Sequence, residues 1–175
     1  ATVTVKMKLG AAQTRYFSGI VSRFLHSGGD REFSAYSAEL VPKLWLLTLS
    51  RDRGIYQAKT AAEIIKAVLG DFAVTFSDKL TGTYTVREYC VQHDETAFEF
   101  ISRLMEEEGI FYFFTFADGT HTMVLADASS AHTACTNATT LKYHPHPGGR
   151  EMIDTVNRFE FESRLVSQKH SLSDY

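Results

Sequence analysis

The sequence predicts a mainly β, α+β fold: an antiparallel β-barrel layer with an α+β insertion that carries two short helices. Three observations lead there. The first forty residues read as successive alternating segments separated by short turns. Two Thr-x-x-Glu boxes, Thr60/Glu63 and Thr96/Glu99, each open an apolar stripe of helical period. Strand patterning then resumes after a polar loop.

The elements follow in order. In "TVTVKMKL", Val3, Val5, Met7 and Leu9 alternate with Thr2, Thr4, Lys6 and Lys8, the pattern of a half-buried strand. "RYFSGIVSRFL" reads as a second strand, with Gly19 marking a bulge or a bend. "HSGGD" turns, and "REFSAYSAELV" is a third strand that ends at Pro42, completing a meander. "LWLLTL" is either extended or one short turn. Residues 60–69 are predicted helical, with Ala61, Ile64, Ile65 and Val68 as the stripe and Gly70 as the stop. "FAVTF" and "TYTVREYCVQ" are strands around the turn "SDKLTG". A second helix is predicted over 96–108, with Ala97, Phe98, Ile101, Leu104 and Met105 inward and Gly109 as its C-cap. "IFYFFTF", apolar on both faces, should be a central or covered strand, returning through "ADGT" into "HTMVLAD". From Ala128 to Gly149 the pattern dissolves, with "LKYHP" as one short strand, and "TVNRFEFESRLVSQ" resumes extended.

Composition narrows the function classes. Of 175 residues, 44% are hydrophobic and 22% charged, the balance of a globular chain with enough apolar residues for a core. The net charge of −3 removes the main driving term for binding nucleic acid. No apolar run approaches the ~20 residues of a membrane helix, so no stable membrane insertion is expected. Cys90 and Cys135 stand far apart and are read as free thiols of a cytosolic chain. The chain opens on Ala1 already in strand pattern and stops at Tyr175 without a polar tail, so it is expected to be a piece of a longer polypeptide.

Few residues point to chemistry. Glu106, Glu107 and Glu108 sit at the negative end of a helix dipole, where each carboxylate is disfavoured by about 0.3–1 kcal/mol unless a cation answers it. They are a solvated corner, a partner surface, or half of an internal pairing with Arg87 or Arg103. His132 with Cys135 and His144 with His146 lack the matching partners a zinc site needs. No nucleophile elbow or phosphate loop occurs. Catalytic residues, metal and cofactors are therefore expected to be absent. Trp45 reads most simply as a buried anchor, and such residues also anchor interfaces. Interface candidates are thus Trp45 and Glu106 to Glu108.

Several long stretches taken together carry a resemblance. "RYFSGIVSRF", "YSAELVPKLWLLTLSRDRGIYQ", "REYCVQHDETAFEFISRLMEEEGIFYFF" and "HTMVLAD" resemble the VgrG family, the trimeric spike proteins of bacterial type VI secretion. The similarity runs from about Arg15 to Asp127 and more loosely to Tyr175. It implies the tail-hub module of contractile phage tails, two small antiparallel barrels whose trimer makes a pseudo-six-fold ring. Residues 1–58 with 150–175 would form one barrel portion, and 59–149 the α+β insertion or second small barrel. It also implies strands before Ala1, and a collar and needle after Tyr175.

The expected function is a non-catalytic hub that adapts a six-fold tube to a three-fold needle. Expected partners are the chain's own copies in a homotrimer, the hexameric tube ring, and a spike tip and effectors through other parts of the protein. Expected localisation is cytoplasmic before firing, then delivery to a target cell. The rival is a β-rich glycan- or peptide-binding module, favoured by an exposed aromatic patch. An enzyme would require His132, Cys135, His144 and His146, or the glutamates, to converge in one cleft.

Overall fold

The computed structural model describes residues 2–9, 13–134, 140–145 and 155–165, without the side chains of Leu9 and Gln13. The chain divides into two compact units, 1–131 and 132–175.

In the first unit, β1 (Thr2–Leu9), β2 (Gln13–Gly29) and β3 (Ser34–Val41) form an antiparallel meander in the order β1-β2-β3. β2 runs through the segment read as a turn, because the reversal comes only at Asp30. There the Asp30 carboxylate accepts from the backbone N–H groups of Glu32 and Phe33 at 2.8 Å each. The bulges lie between Val21 and Arg23 and between His26 and Gly28, not at Gly19. Gly19 meets a different demand. A Cβ there would stand 2.7 Å from the Val41 carbonyl oxygen, so the close approach of β3 admits no side chain.

"KLWLLTL" resolves as a 3₁₀ turn over Lys43–Leu49, with Leu44 and Leu47 buried. The chain then enters β4 (Arg51–Thr60), a strand missing from the sequence reading. It pairs antiparallel with β6 (Val86–Thr96), Tyr56 opposite Cys90. Thr60 ends β4 and Thr96 ends β6, at opposite ends of this ribbon. Each leaves extended backbone to start a helix, α1 (Ala61–Asp71) or α2 (Ala97–Glu108). Both capping boxes are complete: each Thr hydroxyl accepts from the backbone N–H three residues on, and Glu63 or Glu99 returns a bond to the Thr backbone.

The helices end alike. Ala73 and Val74 donate to Gly70 and Leu69, and Gly109 and Ile110 donate to Glu106 and Met105. Gly109 caps α2 as expected and is left-handed (φ 69°), whereas the left-handed residue after α1 is Ala73 (φ 50°). Gly70 therefore lies inside α1 and does not stop it. The stripe of α1 is buried as predicted. In α2, Phe100 is fully buried and Phe98 only partly, because Phe100 lies on the side where Tyr56 of β4 stacks, ring centroids 5.4 Å apart.

The strand after α1 is β5 (Phe76–Lys79), shifted C-terminal to "FAVTF". It makes no hairpin with β6. It runs parallel to β8 (Thr120–Ala126), which pairs antiparallel with β7 (Phe111–Ala117), giving the order β5-β8-β7. The buried central strand is thus β8. "IFYFFTF" forms the edge strand β7, half-buried rather than central. Asp127, just past β8, accepts from Thr81 N (2.9 Å), Gly82 N (2.6 Å) and Tyr84 Oη (2.7 Å), pinning the β5–β6 connection. The Tyr84 and backbone bonds hold the Asp127 carboxyl well below the ordinary carboxylate range.

The core joins both helices, the 3₁₀ turn, one face of the ribbon, and β8. The tip of the β7–β8 hairpin docks on the meander. Ser18 Oγ donates to the Ala117 carbonyl (2.8 Å), Gly119 N donates to Thr4 Oγ1 (3.2 Å), and Lys6 pairs with Asp118 (2.6 Å). Val3, Val5 and Met7 remain 37–46% exposed, so the strand expected to bury them shows that face to solvent in the single chain.

In the second unit, β9 (Lys142–Tyr143) and β10 (Thr155–Val156) pair in parallel. The strand expected over "TVNRFEFESRLVSQ" is this short piece. Residues 157–165 carry no ladder, and 166–168 lie outside the described residues. The described structure is mainly β with a few helices, and no closed barrel occurs among the described residues.

Candidate assembly surface

The acidic corner is built by α2 and answered by β6. Arg87 Nη1 reaches Glu107 Oε2 and Arg87 Nη2 reaches Glu108 Oε1, each at 2.7 Å. Arg103, one turn back on α2, pairs with Glu107 at 3.4 Å and with Glu95 of β6 at 2.7 Å, and donates to the Val91 carbonyl at 3.2 Å. Burial pushes the Glu107 carboxyl up, but Arg87 and Arg103 outweigh it and leave it below its ordinary value. The paired carboxylates, Glu108 first, raise Arg87. The dipole conflict is therefore met within the chain, and the same bonds fasten the end of α2 to the ribbon. Glu106 is exposed and takes no part in these ion pairs.

Trp45 is half-buried rather than a core anchor. The 3₁₀ turn sends Leu44 and Leu47 inward, while Trp45 bonds through its backbone, its N–H to Pro42 O and its carbonyl to Thr48 Oγ1. The histidine candidates fall in the second unit. His132 and His144 are described there, and Cys135 and His146 lie outside the described residues. Among the described residues no group of three or more His, Cys, Asp or Glu could hold a metal, and no helix is long and apolar enough to cross a membrane. Cys90 is a buried free thiol.

Apolar exposure is the feature the sequence reading missed. Beside Val3, Val5 and Met7, the meander exposes Phe24 stacked on Tyr36, centroids 5.6 Å apart. On the ribbon, Ile55 and Tyr89 are exposed, at positions that alternate with the core-facing Tyr56 and Cys90. In the second unit Phe159, Phe161 and Leu165 are 79–105% exposed. Alternation alone signals a two-faced strand. It does not say whether the apolar face is covered by the same chain.

Comparison with known proteins gives this surface its context. The family model described as phage tail baseplate hub (GPD) matches residues 1–175. Type VI secretion system spike protein VgrG1c of Pseudomonas aeruginosa is 37% identical over 174 residues, 99% of this chain and 24% of its own length. VgrG1a of the same organism is 37% identical over 174 residues, 27% of its length. The chain thus spans about a quarter of the length of these relatives. Among solved structures, the E. coli c3393 protein matches with a TM-score of 0.67 and 28% identity, over 73% of this chain and 37% of that one. It is a component of the type VI secretion system with structural similarity to the T4 bacteriophage tail proteins gp27 and gp5. The resemblance to VgrG spike proteins is borne out along nearly the whole chain, and the chain belongs to the phage tail baseplate hub family.

Proposed function

We propose that this chain is a structural hub module of a type VI secretion spike, one that adapts a six-fold tube to a three-fold needle without a catalytic step. The observation that carries the reading is the hub-family match over residues 1–175, together with spike relatives aligned over 99% of the chain. The exposed apolar strand faces are the kind of surface that a larger assembly covers. Three copies, each presenting two similar barrel-like halves, would offer six similar faces to a hexameric ring. In this reading residues 1–58 with 150–175 contribute one half and 59–149 the other, and the open sheets close into barrels when the whole protein assembles. Partners are its own copies and the tube ring, with the spike tip and effectors engaged by other parts of the protein. The protein resides in the cytoplasm before firing and is then delivered by the secretion machine. Trp45 and the corner Glu106 to Glu108 are proposed contacts, with Glu106 the carboxylate left over for a partner cation. The glycan- or peptide-binding alternative has no support from the family.

Sedimentation of the full-length protein tests the reading, with a trimer as the expected species. A full-length protein that stays monomeric at micromolar concentration refutes it. Glu106→Lys alone, which spares the Arg87 pairs, should weaken assembly at low salt, where screening is least. Unchanged assembly there removes Glu106 from the contact without touching the hub reading.

A further inference from the structure

His121, on β8, is 7% exposed, and its Nε2 accepts a hydrogen bond from the backbone N–H of Lys43 at 2.9 Å. Accepting at Nε2 places the ring proton on Nδ1, which is buried and has no hydrogen-bond partner. The ring meets Phe114 of β7 edge-on, centroids 6.1 Å apart, and stands opposite Phe116 in the ladder. The charged group that acts on it is Lys43 of the 3₁₀ turn, whose Nζ lies by the Ala73 carbonyl at 3.4 Å. Among the described residues no carboxylate acts on the ring to compensate. Lys43 opens the 3₁₀ turn immediately after β3 and Pro42. One bond to a titratable ring thus ties the junction between meander and core to the buried strand β8.

We propose that His121 is an acid-sensitive latch, which holds the β3–3₁₀ junction on β8 while neutral and releases it when protonated. The chemistry is a change of sign at one atom. Protonation turns Nε2 from acceptor to donor, so the Lys43 N–H then faces another N–H. It also places a cation in an apolar site beside Lys43, with no anion to offset it. Burial first, and Lys43 second, lower the ring pKa below its ordinary value, so the closed latch excludes the proton. The open junction would let the ring titrate near ~6.5. Opening is then favoured by up to tenfold per pH unit below ~6.5, or up to about 30-fold at pH 5.

Two NMR measurements on the 175-residue chain test this. One is the titration of the His121 ring. The other is the hydrogen-exchange protection of the Lys43 amide, corrected for intrinsic rate, at pH 7.5 and pH 5. Expected are a ring midpoint below ~6.5 and a loss of Lys43 protection at pH 5 that matches the ring's shift, up to about 30-fold, with the Val124 and Leu125 amides unchanged. In His121→Gln, whose side-chain oxygen accepts without titrating, Lys43 protection should not depend on pH. A ring that titrates at or above 6.5, Lys43 protection that holds at pH 5, or an equal loss at Val124 and Leu125 would each overturn the proposal. Should His121→Gln not fold, the two wild-type measurements decide.

Discussion

Replacing Phe100 with alanine probes the joint between α2 and the β4–β6 ribbon. The ring is fully buried, stacks on Tyr56 at 5.4 Å, and lies under the Arg103 guanidinium at 5.5 Å. Phe→Ala in a core costs about 3–5 kcal/mol, the sum of lost transfer energy and an unfilled cavity. The aromatic pair accounts for about 0.5–1.5 kcal/mol of this beyond area. The upper half of the range is expected, because helix and ribbon both contribute rigid backbone and cannot collapse into the space. For a domain stable by about 5–15 kcal/mol this is a large fraction. Urea unfolding followed by far-UV circular dichroism should show the midpoint falling by about 2–2.5 M if m is about 2 kcal/mol/M. Phe98→Ala is the control. Phe98 is partly buried, so about 1–2 kcal/mol is expected. A Phe98 variant that loses as much as the Phe100 variant would refute the assigned faces of α2. So would a Phe100→Ala loss below about 2 kcal/mol.

Other substitutions test the helix ends and the acidic corner. Gly70 lies inside α1 with open space where an alanine methyl would stand, so Gly70→Ala should stabilise by about 0.4–1 kcal/mol; loss of stability would restore it as the stop. Ala73→Gly should stabilise by about 1 kcal/mol and Gly109→Ala destabilise by about 1–2 kcal/mol, because both positions are left-handed; thermal melts read both. Thr60→Ala and Thr96→Ala should each cost about 0.5–2 kcal/mol in urea unfolding, by orphaning a backbone donor that the hydroxyl now satisfies. Arg87→Ala should cost about 1–2 kcal/mol at low salt, since two carboxylates at a helix C-terminus lose their cation, and less in 1 M salt. The Glu107 carboxyl is lowered in the fold, so its contribution is complete above its unfolded pKa near ~4.3 and is lost as pH falls through the lower folded value. The stability difference between wild type and Arg87→Ala should therefore begin to shrink as pH falls below ~4.3.

Local signals in the sequence determined both helices, because a Thr-x-x-Glu box and an apolar stripe are complete within a dozen residues. They also determined the 111–126 hairpin, whose Asp-Gly turn is local, and the cap at Gly109. The acidic corner was legible as an electrostatic conflict, and Arg87 and Arg103 as two of its possible answers. Tertiary structure decided the rest, because each choice depended on distant residues. β4 is short on apolar alternation and exists as a strand because β6 supplies its ladder. β5 pairs with β8, 47 residues on, through a parallel ladder that no turn signal announces. Phe98 and Phe100 flank the α2 stripe on opposite sides, and only Tyr56 of β4 selected Phe100 for the core. Val3, Val5 and Met7 alternate as a buried face would, yet periodicity records only that a strand has two faces. What covers such a face is a property of the surrounding assembly, and so the same residues that misled the reading of burial are the ones that mark the surface.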